Sequence, residues 1–232
     1  MGIEGADPIL WPEQVHQWWE IGVRVISLSH YGVSTYSHGT ATGTDGGLFP
    51  PAKQLLKIMD SIGMILDLTH TSDASIREAL DLYSGPVLAS HQNCRALVPG
   101  ERQFPDEIIH SVIERGGVIG SSFDAFMLYR PGIDWLDIPG TGEKFPRENV
   151  TLEDVADHID HVCQLAGNSE HAAIGTDLGG GVGWSGAPHE IESAKDYIKL
   201  SSVLERRGHS DKDIKNIMYL NWQRFYERCL PS

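Results

Sequence analysis

Short apolar runs alternate along the chain with stretches whose apolar residues recur at three- and four-residue spacing. The runs V-R-V-I-S-L-S-H (23–30), M-I-L-D-L-T-H (64–70), P-V-L-A-S-H (86–91), G-G-V-I-G-S-S-F (116–123) and H-A-A-I-G-T-D (171–177) read as strands covered on both faces. The stub G-I-E-G-A (2–6) reads as the end of another. Helical spacing fills the gaps. Pro12 to Glu20 starts with proline at a first-turn position, and Pro51 to Ile62 is stopped by Gly63. Ser72 to Tyr83 opens Ser-Asp-Ala-Ser, and Pro105 to Arg115 carries Asp106 and Glu107 at the positive end of its dipole. Thr151 to Ala166 opens with Thr151 and Asp154 in capping positions, and Ile191 to Arg228 reads as two helices broken near Gly208-His209-Ser210.

Such alternation predicts an α/β fold with a parallel sheet, either doubly wound or a (β/α)8 TIM-like barrel. Polar residues separate the two. Glu4, His30, His70, His91 and Asp177 each fall at the C-terminal end of a different strand. A barrel mouth can bring all of them together, because every strand points at one axis, whereas an open sheet cannot. The barrel is therefore expected, as one domain over 1–232. About six of its eight strands are present, and the length is under the roughly 250 residues usual for such barrels. Two N-terminal β/α units are expected to be missing, and 124–150 forms a Pro- and Gly-rich excursion with no clear element.

Composition narrows the partners. The 232 residues carry 18 Lys plus Arg against 32 Asp plus Glu, a formal charge of −14, which argues against nucleic acid. At 41% apolar and 22% charged the chain is an ordinary folded protein, with no apolar run long enough to span a membrane. No signal pattern opens it, so a soluble chain, cytoplasmic by default, is expected, with any targeting segment lying before residue 1. Cys94, Cys163 and Cys229, odd in number and far apart, read as buried small hydrophobes.

Imidazoles and a carboxylate on separate strand ends suit zinc. His16, His110, His158, His161 and His209 fall within helical patterns and read as structural. Gly181 to Gly186 spells GxGxxG after a strand, yet Pro188 follows before any helix begins. A mouth loop fits it better than a dinucleotide turn. Asp67 could orient a ligand from behind or simply pack, and Trp18, Trp19 and Trp184 read as core or loop packing.

The serial motifs carry a resemblance. I-E-G-A through G-V-R-V-I-S-L-S-H, then G-L-F-P-P-A-K-Q-L-L-K-I-M-D-S-I-G-M-I-L-D-L-T-H, P-V-L-A-S-H-Q-N-C-R-A-L, R-Q-F-P-D-E, I-G-T-D-L-G-G and N-W-Q-R-F-Y follow one another as in the membrane dipeptidase family (renal dipeptidase-like, peptidase family M19). The resemblance covers nearly the whole chain and implies that the barrel is of the metal-dependent hydrolase type. It implies hydrolysis of dipeptides by a zinc-activated hydroxide, with Glu4 bridging two zinc ions and His70 and His91 completing one of them. It further implies that His30 stabilises the oxyanion, that Arg102 binds the substrate carboxylate, and that Asp177 holds the free amine and joins in proton transfer.

Two departures stand out. The family's His-x-Asp pair on its first strand has no counterpart, leaving one three-ligand zinc site, and the second acid of D-F-D-G is Gly179. Two other readings therefore stay open: a barrel remnant that only binds or interacts, and a related amidohydrolase with another amide substrate. Without the resemblance, Arg102 beside Glu101 would read as a surface ion pair. A wall lacking two strands exposes two edges, so either homo-oligomerisation or poor solution behaviour is expected.

Overall fold

The computed structural model describes residues 1–43, 46–131, 147–179 and 183–230. Six parallel strands form its wall: β1 (Gly2–Ile3), β2 (Val25–Ser27), β3 (Ile65–Asp67), β4 (Val87–Leu88), β5 (Ile119–Ser122) and β6 (Ala172–Thr176). β1 to β4 pair in chain order, with Ile3 opposite Ile26, Ile26 opposite Leu66 and Leu66 opposite Val87. β5 pairs with β6, and a parallel bridge from Ala89 to Ile119 joins the two ladders into one curved wall. Each ladder is shorter than its apolar run, which is trimmed at both ends, and the residues after each strand enter the loops of the mouth. No ladder joins β6 to β1 among the described residues, so the barrel is not closed.

Helices follow their sequence signals closely. A 3-10 turn at Pro12–Gln14 leads into α1 (Val15–Glu20). In α2 (Pro50–Ile62) the residues Ala52, Leu55, Leu56 and Met59 are buried at helical spacing, and Gly63 ends it at φ 76°. Ser72 caps α3 (Asp73–Leu82) by accepting from the Ser75 amide at 3.2 Å. After α4 (Asp106–Glu114), Thr151 and Asp154 form the expected capping box on α6 (Leu152–Ala166).

Two expectations need correction. The excursion holds a short helix, α5 (Ala125–Leu128), capped by Asp124, and a 3-10 turn at Arg147–Asn149; residues 132–146 lie outside the described residues. The C-terminal stretch is more divided than two helices. A 3-10 turn (Ala194–Ile198) enters α7 (Lys199–Arg206), the break falls as expected, and α8 (Asp211–Lys215) passes through a π turn into α9 (Asn221–Cys229). His209 therefore sits in the break and not in a helix, bonded to Asp160 at 2.6 Å.

Strand alternation separates two cores. Ile26, Leu66, Val87, Ala89, Ile119 and Ala172 face the surrounding helices in the main cluster. Ile65, Leu88, Val118 and Ala173 face inward and are covered by Phe225, Trp222 and Tyr226 of α9. The last helix thus fills the inside of the wall, with Trp222 Nε1 donating to the Ile174 carbonyl at 2.9 Å. Gly120 makes room for it: a Cβ there would lie 2.3 Å from the Ser90 carbonyl oxygen and 3.0 Å from the Trp222 ring. No described helix is long and apolar enough to cross a membrane. The three cysteines are unpaired as disulfides, and burial pushes the Cys94 thiol well above its usual range.

Candidate metal centre and substrate pocket

Glu4, His30, His70 and His91 follow β1, β2, β3 and β4, so the parallel wall delivers all four to one end. Glu4 Oε1 lies 2.9 Å from His70 Nε2, 3.1 Å from His91 Nε2 and 3.7 Å from His30 Nε2. The two imidazole nitrogens of His70 and His91 are 3.0 Å apart. Donor atoms of Glu4, His30 and His70 all fall within 4.8 Å of one another. Asp177, after β6, closes the set at 3.9 Å from His91 Nε2.

The backbone is strained where this happens. His70 and Asp177 adopt φ of 65° and 63°, the left-handed region that side chains other than glycine rarely occupy. Such positions cost about 1–3 kcal/mol each and persist only where surroundings over-determine them. At His70 the surroundings are visible: its carbonyl accepts from the Thr40 amide at 2.9 Å. Gly39 lets that loop close, since a Cβ there would sit 2.1 Å from the His30 carbonyl oxygen. Ser90 Oγ, 2.8 Å from His91 Nδ1, fixes the orientation of that ring. Asp67 does not reach the imidazoles; it accepts from the Thr69 and Ser90 amides at 3.0 and 3.1 Å and braces two of the loops.

Electrostatics suit a cation. Hydrogen bonds from His70 and His91 hold the Glu4 carboxyl far below the usual range, so it is ionised. Burial and the nearby Arg102 charge push His70 well down, keeping it neutral. An ionised carboxylate and neutral imidazoles are the protonation states a divalent metal requires. The donor set therefore fits zinc: one oxygen and two nitrogens converging from rigid strand ends, with His30 beside them. Burial also lowers the His30 pKa and raises that of Asp177.

Arg102 is not a surface residue. It is 1% exposed, and its Nη1 donates to Gln92 Oε1 at 2.6 Å while Nη2 donates to the His91 carbonyl at 3.1 Å. Nη2 also lies 3.3 Å from His70 Nε2, and Nε is buried with no partner. The surface ion pair with Glu101 is thereby excluded, because the side chain turns inward. A cavity of about 340 Å³ lies beside the site, lined by Ile3, Glu4, His91, Asp177, Tyr226 and Leu230 among others.

Sequence reading missed three contributors. Gln92 holds Arg102. Asp124, 4% exposed, has its carboxyl pushed up by burial to about 6, and it senses both Asp177 and Arg102. Tyr31 places its ring 4.7 Å from those of His30 and His70. No spacing rule marks a residue next to a strand-end histidine, and the Asp124 signal lay inside the apparently structureless excursion. Gly183 leads only into a 3-10 turn at Trp184–Gly186, with residues 180–182 outside the described set, so the glycine run opens no long helix. Gly179 borders open space. Trp18 and Trp19 pack on the main core, while Trp184 is 40% exposed near Tyr197.

A parallel β/α wall with carboxylate and imidazole donors gathered at its C-terminal rim defines a metallohydrolase type of barrel. The chain belongs to the membrane dipeptidase family, peptidase family M19, whose profile matches residues 1–229. Dipeptidase tcpJ of Claviceps purpurea is 32% identical over 87% of this chain and 43% of its own length. An uncharacterised dipeptidase of Schizosaccharomyces pombe is 29% identical over 98% of this chain and 52% of its own. The chain thus spans about half the length of the curated relatives it matches. Among solved structures, the M19 metallopeptidase dipeptidase AC superposes with a TM-score of 0.84 at 21% identity, covering 100% of this chain and 66% of that one. A Rhodobacter sphaeroides metallopeptidase, liganded with a phosphinate mimic of the dipeptide L-Ala-D-Ala, gives 0.81 at 22%, covering 99% and 62%.

Proposed function

We propose that the chain carries the metal-binding and substrate-anchoring part of a zinc dipeptidase. One observation carries this reading: Glu4, His70 and His91 converge within 3.1 Å while Arg102 and Asp177, of opposite charge, flank them. When bound, zinc supplies a Lewis acid for the scissile carbonyl and lowers the pKa of a water to near neutrality. Glu4, His70 and His91 would hold the ion. His30, beside Glu4, would donate to the oxygen on which negative charge develops. Arg102 offers a buried guanidinium to the substrate's carboxylate, a group that its planar fork suits. Asp177 would receive the free amine and pass a proton to the departing nitrogen. Two anchors of opposite sign measure the length of a dipeptide and align its peptide bond, so that binding supplies orientation. The names of the relatives, and the dipeptide mimic on the Rhodobacter metallopeptidase, support the substrate class.

The open wall favours a second reading, a barrel that holds metal but does not turn over. A related amidohydrolase acting on another amide is less consistent with an inward-facing Arg102. Zinc stoichiometry and alanyl-alanine hydrolysis, measured on the chain and on His91→Ala, separate these readings. The dipeptidase reading expects one tightly bound zinc and turnover, both lost in the variant. Zinc without turnover establishes the second reading; stoichiometric zinc retained in His91→Ala refutes the assigned ligands.

A further inference from the structure

Tyr31 follows His30 directly and is 39% exposed in the mouth. Its ring meets His30 and His70 edge-on, at 4.7 Å to each and interplanar angles of 80° and 78°. Its hydroxyl lies within reach of the Arg102 side chain, whose Nη2 is 3.3 Å from the Nε2 of the His70 ring that Tyr31 packs against. The ring packing would be served equally by phenylalanine. What tyrosine adds is an oxygen at a buried guanidinium, and a phenol that accepts from a guanidinium turns its own proton away from it.

We propose that Tyr31 is a second anchor for the substrate's C-terminal carboxylate, its hydroxyl and the Arg102 guanidinium forming one docking station for that group. This rests on the dipeptidase reading above. The surroundings explain why one cation does not suffice. Arg102 is held by neutral acceptors on Gln92 and His91, and the Asp124 and Asp177 carboxyls lie within electrostatic reach of it. An incoming carboxylate is therefore opposed by two acids, and an added O–H donor offsets part of that repulsion without adding net charge. The two imidazoles, 4.2 Å apart, hold the phenol by edge contacts, so it is oriented before substrate arrives.

The test uses the metal-free full chain, where no turnover competes, titrated with alanyl-alanine and with alanyl-alaninamide and followed by NMR chemical shifts. The wild-type chain is expected to prefer the free carboxylate. Tyr31→Phe, which keeps the ring, is expected to weaken alanyl-alanine binding about tenfold, the scale of a hydrogen bond to a charged group, and to leave the amide unchanged. A purely structural role would shift both ligands together. If Tyr31→Phe keeps the full preference, the Tyr31 anchor is overturned while Arg102 stands. If the wild-type chain shows no preference, the carboxylate pole itself is overturned, and Tyr31 with it.

Discussion

His158 predicts an acid-sensitive fold. It lies in α6 at 2% exposure, and its Nδ1 accepts from the Cys94 amide at 3.0 Å. That amide begins the loop that carries Arg102, and the loop returns to it through the Phe104 amide and the Asn93 carbonyl at 3.0 Å. Burial, reinforced by the Arg130 and His161 charges, pushes the imidazole down to about 3. In the unfolded chain it titrates near 6.5. Because the folded value lies below the unfolded one, the unfolded chain takes up the proton first as pH falls. Stability is therefore complete above pH ~6.5 and declines as pH drops toward about 3. The slope is about 1.4 kcal/mol per pH unit, so about 2 kcal/mol is lost between pH 8 and pH 5. That is a large share of a typical folding free energy of roughly 5–15 kcal/mol. Urea unfolding at the two pH values measures it, with His158→Gln as the control, since the glutamine amide oxygen can accept from the same N–H without titrating. The variant should lose about 2 kcal/mol less than the wild type over that interval. Parallel losses in the two proteins would refute the buried neutral imidazole.

Other outcomes follow from the wall. Gly120→Ala drives a Cβ to 2.3 Å from the Ser90 carbonyl oxygen, so β4 and β5 must separate. A loss of about 3 kcal/mol is expected as a lower urea midpoint, with weaker zinc binding because Ser90 steadies His91; an unchanged midpoint argues against the close approach. Among the described residues no ladder covers the outer side of β1 or of β6, and these edges should drive self-association, read by sedimentation velocity as concentration-dependent species above the monomer. A single monomeric boundary at all concentrations would sink that expectation.

Much of the fold was legible locally. Five apolar runs and a stub correspond to the six strands, and caps at Ser72 and Thr151 and the stop at Gly63 set helix bounds. These signals work because a capping oxygen or a glycine at positive φ acts within a few residues of its position. The strand-end placement of Glu4, His30, His70, His91 and Asp177 was legible for the same reason, since strand polarity alone sends them to one rim. The α9 helix was not. Its apolar stripe of Trp222, Phe225 and Tyr226 reads like that of any outer helix, and nothing local says that it enters the wall.

The sequence by itself therefore determined the order of elements, the rim that carries chemistry and the family. Tertiary structure alone decided which partners meet: Arg102 turned inward onto Gln92, Tyr31 set edge-on against two imidazoles, and Trp222 laid over Gly120. It also decided that His70 and Asp177 bear left-handed backbone, a cost that only surrounding contacts can hold in place. Periodicity and capping are fixed by neighbours along the chain. These contacts join residues far apart in sequence, and only the packed wall fixes which of them form.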